Sequence, residues 1–127
     1  MKRLGLITKN KVFAQSLSLV IKNNLDLPFE PYVLHSFKQA SVDAEILGID
    51  VAVIEMVAEN PAGTPDGLLL CNEMRRTNPD CRILLLISPD HKHNRDTAIR
   101  AANIKAVDDY VFLDTSLDYL FAKLLAL

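Results

Sequence analysis

A chain of 127 residues, half of them hydrophobic, with 14 basic and 16 acidic residues and a net charge of -2, suits one compact domain with a continuous core. That balance argues against disorder and supplies no basic block for nucleic acid. Two isolated cysteines, Cys71 and Cys81, exclude a disulfide framework and fit a reduced cytoplasmic setting, while no apolar run approaches the roughly 18 residues of a membrane span.

The start, Met1-Lys2-Arg3, is followed by only a short apolar run before Thr8-Lys9-Asn10-Lys11, too short for a signal-peptide core. That run, residues 4–7, predicts a buried strand. Phe13, Leu17, Val20 and Ile21 recur at i, i+4, i+7 and i+8, which predicts an amphipathic helix ended by Asn23-Asn24 and Pro28. Tyr32-Val33-Leu34 predicts a second short strand. Ser36 with Gln39 three residues on has the form of a capping box opening a helix through Ile46-Leu47, with Gly48 at its C-terminal end.

Val51-Ala52-Val53-Ile54 is apolar at every position, the mark of a parallel strand covered on both faces. A loop rich in Pro and Gly follows over residues 59–65. Leu70, Cys71 and Met74 give the next helix its apolar face, and Asn78-Pro79 stops it. Residues 82–87 hold the most hydrophobic strand. A polar stretch over residues 89–95 leads into a helix near residues 96–103. Asp109-Tyr110-Val111-Phe112 predicts a fifth strand, and Thr115 or Ser116 caps a last helix with Leu117, Leu120, Phe121 and Leu124 on one face.

Five strand-then-helix units with short links predict an α/β domain over residues 1–127: a flavodoxin-like (βα)5 fold, its parallel sheet in the order 2-1-3-4-5 with helices on both faces. Ligands of such sheets sit beyond the carboxyl ends of the strands, which directs attention to the loops after Ile7, Ile54, Ile87 and Phe112.

Three segments carry a resemblance. Gly48-Ile49-Asp50-Val51-Ala52-Val53-Ile54-Glu55 looks like the "DLVLLD" third strand of the receiver domains of bacterial two-component response regulators. Pro65-Asp66-Gly67-Leu68-Leu69-Leu70-Cys71 looks like their "MDGLELC" entry to the third helix. Ala106-Val107-Asp108-Asp109-Tyr110-Val111 is similar to their "GADDYL" run. In order and spacing the three together resemble a receiver over essentially the whole chain.

The resemblance implies a site built from an acidic pair after the first strand, a phosphoacceptor Asp after the third, a hydroxyl after the fourth and a Lys after the fifth. The acids hold a divalent cation through oxygen, and the cation neutralises the phosphoryl oxygens during attack by the Asp. This sequence departs at nearly every position. Thr8 and Lys9 replace the acids, Glu55 stands at the phosphoacceptor position, Leu113 replaces the Lys, and Asp114 replaces the Pro that usually follows it. Only the hydroxyl remains, as Ser88, and the loop after Glu55 is longer than usual. The expectation is a degenerate pocket with no catalytic residue, no cofactor and no magnesium site, in a chain that is not an enzyme.

Lys9 and Glu55 replace groups on adjacent strand ends, so one expectation is an ion pair that locks one conformation. The other is that both reach solvent. Tyr110 stands where the family couples phosphate to its output face. Tyr110, Tyr119, Phe121 and Leu124 are, by the same analogy, candidates for a switch or dimer face, set against a plain half-buried Tyr110 and a last helix whose residues merely complete the core. Asp90, His91, His93, His35 and Asp96 invite a metal reading, set against a solvated loop. Glu73, Arg75 and Arg76 read as an exposed helix face. The four glycines are too scattered for a phosphate-binding loop.

The functional expectation is a phosphorylation-independent pseudo-receiver in signal transduction or transcription control, acting by dimerisation or by docking a protein partner. An output domain after Leu127 is part of that expectation, and this domain itself binds neither nucleic acid nor membrane. The alternatives are a phosphoacceptor that uses another residue, such as Asp90 or Asp114, and a small-ligand-binding regulatory domain with residues 59–65 as its lid.

Overall fold

Short apolar runs alternating with helical periods produce five strand–helix units in a computed structural model that describes residues 1–56, 66–88, 92–103 and 105–127. In chain order these are β1 (Lys2–Ile7), α1 (Lys11–Asn23), β2 (Phe29–Leu34), α2 (Ala40–Leu47), β3 (Val51–Glu55), α3 (Asp66–Thr77), β4 (Arg82–Ile87), α4 (Lys92–Asn103), β5 (Asp109–Phe112) and α5 (Leu117–Ala126). All strand pairs are parallel, and the sheet order is β2-β1-β3-β4-β5, as the pattern predicts.

Alternation along each strand divides the core into two layers. Leu4, Leu6, Val51, Val53, Leu84 and Leu86 face Leu17 and Ile21 of α1 and Leu120, Phe121 and Leu124 of α5. On the other side Ile7, Ala52, Ile54, Ile83, Leu85 and Ile87 meet Ala44 of α2, Leu70, Cys71 and Met74 of α3, and Ala98 and Ala101 of α4. A strand covered on both faces has no position for a polar residue in its middle, which is why residues 51–54 of β3 and 83–87 of β4 read as unbroken apolar runs. Burial pushes the Cys71 thiol up to about 12 and the Cys81 thiol up to about 11, so both stay protonated and act as packing groups.

Three local expectations change. The second strand begins at Phe29, earlier than predicted, and takes in Glu30 and Pro31. The Ser36–Gln39 capping box does not form: α2 is entered from a turn, with Gln39 in the helical region (φ -100°, ψ -6°) and no side-chain cap. Arg75 does not join an exposed face. Its guanidinium donates to Ala106 O (3.1 Å), Cys81 O (3.0 Å) and Asp108 Oδ2 (2.6 Å), tying α3 to the amino ends of β4 and β5. Glu73 is likewise engaged, accepting from the buried Ser41 hydroxyl at 2.7 Å.

Two helices end alike. Gly48 has φ +66°, its N–H reaches Glu45 O, and Ile49 N–H reaches Ala44 O. This is a Schellman ending, which a glycine accommodates without Cβ strain. At the end of α4 the same pair of bonds recurs, from Lys105 N–H to Ala102 O and from Ala106 N–H to Ala101 O, but Lys105 takes the left-handed position (φ +61°). Lys105→Gly is therefore expected to stabilise the fold by about 0.5–1 kcal/mol, read as a raised urea midpoint with an unchanged m-value.

Candidate functional site

The carboxyl ends of β1, β3, β4 and β5 bring Thr8, Glu55, Ser88 and Leu113 to one rim of the sheet. Ile7 lies in register with Ile54, so the residues that follow, Thr8 and Glu55, are neighbours. Thr8 is buried (9% exposed), and its hydroxyl donates to Glu55 Oε1 at 2.6 Å. The Lys9 backbone N–H donates to the same oxygen at 3.1 Å. The Thr8 hydroxyl oxygen also accepts the Asn10 N–H at 3.0 Å, and the Asn10 side chain in turn caps α1 by accepting from Phe13 N–H. The first turn of α1, the end of β1 and the end of β3 are thus joined through one carboxylate oxygen.

Sequence reasoning placed position 9 and Glu55 side by side, but the bond between them uses the lysine backbone. The Lys9 ammonium lies over the Phe37 ring, 5.8 Å from its centroid. The partner of Glu55 that pattern reading missed is Thr8. Thr8-Lys9-Asn10 directly before a helical period signals the local bond from Asn10 N–H to the Thr8 hydroxyl, while the bond to Glu55 comes from the β1–β3 register.

Gly67 fixes the other side of Glu55. A Cβ there would overlap the Glu55 carbonyl oxygen and come within 2.9 Å of both the Glu55 carbonyl carbon and the Met56 Cα. The first turn of α3 therefore rests directly on the backbone that leaves β3. Ser88 is half-buried after β4, and Leu113 is 37% exposed after β5, anchored by its N–H to Ile87 O at 2.8 Å.

The four candidates for a switch or dimer face separate. Phe121 (9% exposed) and Leu124 (1%) belong to the core beneath the sheet, which favours the core reading of these two over the dimer-face one, because α5 needs both to bury its apolar stripe. Tyr119 is about half exposed. Tyr110 is half-buried, its ring edge-on to Phe112 with centroids 6.0 Å apart. Lys123 joins Asp109 at 2.8 Å and lies over the Tyr119 ring. Its bond to Asp109 raises the ammonium above the usual lysine range.

Among the described residues the donors at the rim do not make the near-octahedral oxygen set that magnesium takes. Glu55 supplies one carboxylate, already accepting two hydrogen bonds, and a lysine stands beside it. Among the described residues no three or more His, Cys, Asp or Glu converge to hold a metal. Asp90, His91 and the His93 side chain, named in the metal reading, lie outside the described residues, as does the 59–65 loop. Among the described residues no helix is long and apolar enough to cross a membrane.

No protein-family model and no curated protein matches the sequence. Solved structures do match it. The chain is 20% identical to the receiver domain of a Francisella response regulator, with a TM-score of 0.76 over 99% of this chain and 95% of that one. It is 20% identical to the Thermotoga maritima response regulator TrrA in complex with magnesium and BeF, with a TM-score of 0.74 over 99% and 98% of the two chains. Against Brucella abortus NtrX, solved with ADP, it is 12% identical with a TM-score of 0.78, covering 99% of this chain but 26% of that much longer one. At such identities the likeness establishes the fold, which is that of the CheY-like response-regulator receiver domains.

Proposed function

We propose that this receiver-fold chain is a signalling module that docks a protein partner, or a second copy of itself, without first accepting a phosphoryl group. The observation that supports this reading is the Thr8–Glu55 hydrogen bond of 2.6 Å. It puts a hydroxyl donor and the neighbouring Lys9 where a phosphoacceptor site needs anionic oxygens around a cation. Phosphoryl transfer depends on positioning and on neutralising charge at the transferred group. Glu55 held by donors, with Lys9 beside it and Leu113 in place of a lysine, supplies neither arrangement. On this reading the domain has no catalytic residue, works in the cytoplasm, and passes its signal to an attached output segment or a separate protein.

Magnesium with beryllofluoride, a phosphoryl mimic, tests the site without requiring chemistry. The expected result is no change in Tm at millimolar magnesium and fluoride beyond that given by salt alone. A saturable rise in Tm would contradict the reading, since a ligand that binds the folded state stabilises it by mass action. It would favour a phosphoacceptor using another residue, of which Asp114, exposed on the turn after β5, is one.

A further inference from the structure

A five-stranded open sheet has two free edges, and each is a template for a strand from another chain. Here the edges are β2 and β5. The parallel ladder decides which backbone groups face outward, because alternate residues point toward and away from the neighbouring strand. Lys2 N–H donates to Pro28 O, and the register continues with Leu4 opposite Pro31. Residues 30 and 32 therefore bond β1, while Phe29, Pro31 and Val33 turn their backbone outward. Pro31, at the middle of those three, has no N–H to offer. Its side chain is buried, so the residue completes the core while interrupting the edge.

The β5 edge is closed differently. Leu113 N–H donates to Ile87 O, so the outward-facing residues of β5 are Tyr110 and Phe112. The Asp109 carboxylate accepts the outward Tyr110 N–H at 2.8 Å through Oδ1 and holds Lys123 Nζ at 2.8 Å through Oδ2. Thr115 N–H occupies the outward Phe112 carbonyl at 3.1 Å. Two of the four outward amide groups on this short strand are thus already bonded within the chain, and α5 pins the side chain responsible.

We propose that both free edges are closed against strand addition, β2 by Pro31 and β5 by the Asp109–Lys123 pair. A second copy of this chain therefore does not pair with it strand to strand through either edge. The proposal stands apart from the phosphoryl question, because neither edge touches Glu55.

Pro31→Val tests it in the full chain. Valine has similar bulk, favours a strand and restores the outward N–H. The expected result, by light scattering over a concentration series, is self-association at least about tenfold tighter than that of the native chain, from newly made backbone hydrogen bonds. A folded Pro31→Val variant that associates as the native chain does would overturn the proposal. Should that variant not fold, Asp109→Ala, which frees the Tyr110 N–H at the other edge, is read in the same assay: tighter association supports the proposal, and native behaviour overturns it.

Discussion

Replacing Gly67 by alanine is expected to destabilise the domain by about 3 kcal/mol, lowering Tm by roughly 10 °C. The added methyl would overlap the Glu55 carbonyl oxygen and crowd the Glu55 carbonyl carbon and Met56 Cα at 2.9 Å. These are backbone atoms at the end of the buried strand β3, and they cannot turn aside as a flexible side chain would. Relief requires the first turn of α3 to lift away from the sheet, which disturbs Leu70, Cys71 and Met74 in the core behind it. Glu55 would lose its fixed setting at the same time. Paired urea melts of the native chain and the variant measure the effect, and a variant of native stability would show that α3 is not seated on β3 as described.

Arg75→Ala is expected to cost about 2–3 kcal/mol at neutral pH, because it strips donors from three acceptors at once. Two are the carbonyls of Ala106 and Cys81, and the third is Asp108, only 19% exposed at its side chain. Burial alone would raise the Asp108 carboxyl, but the Ile83 N–H, Arg75 and Arg82 outweigh it and hold the group below the usual carboxylate range. A carboxyl lowered in the folded state contributes stability that is present above its unfolded value, about 4, and is lost as pH falls through its folded value. The deficit of Arg75→Ala should therefore be largest near neutrality and shrink as acid protonates Asp108. Denaturation of both proteins from pH 7 down to about pH 3 measures that narrowing. A deficit that stays constant would mean that Arg75 acts through the Ala106 and Cys81 carbonyls and its packing, and not through the Asp108 charge.

What the sequence made legible follows from what each feature depends on. Residues 51–54 and 83–87 report their burial through an unbroken apolar run, and from these and the helical periods the sheet order followed. Gly48 announced its helix end because the left-handed position favours glycine. Lys105 adopts the same conformation unannounced, since nothing in a lysine marks positive φ. Arg75 was misread because its three acceptors lie on residues 6 to 33 positions away, a distance that helical periodicity cannot register. Phe121 and Leu124 were open between a dimer face, by analogy, and the core, although their own spacing with Leu120 already described the buried stripe of α5. At the rim, the identities of Thr8, Lys9 and Glu55 were plain, but the geometry that makes Thr8 the hydrogen-bond partner comes from the β1–β3 register.

Intact mass after incubation with magnesium and acetyl phosphate, beside an ordinary receiver as positive control, tests the proposal that the pocket of this chain accepts no phosphoryl group. The expected spectrum holds the unmodified mass alone while the control gains one phosphoryl group. A single clean addition to this chain would contradict the proposal, and mapping it would identify the side chain that serves in place of the missing aspartate.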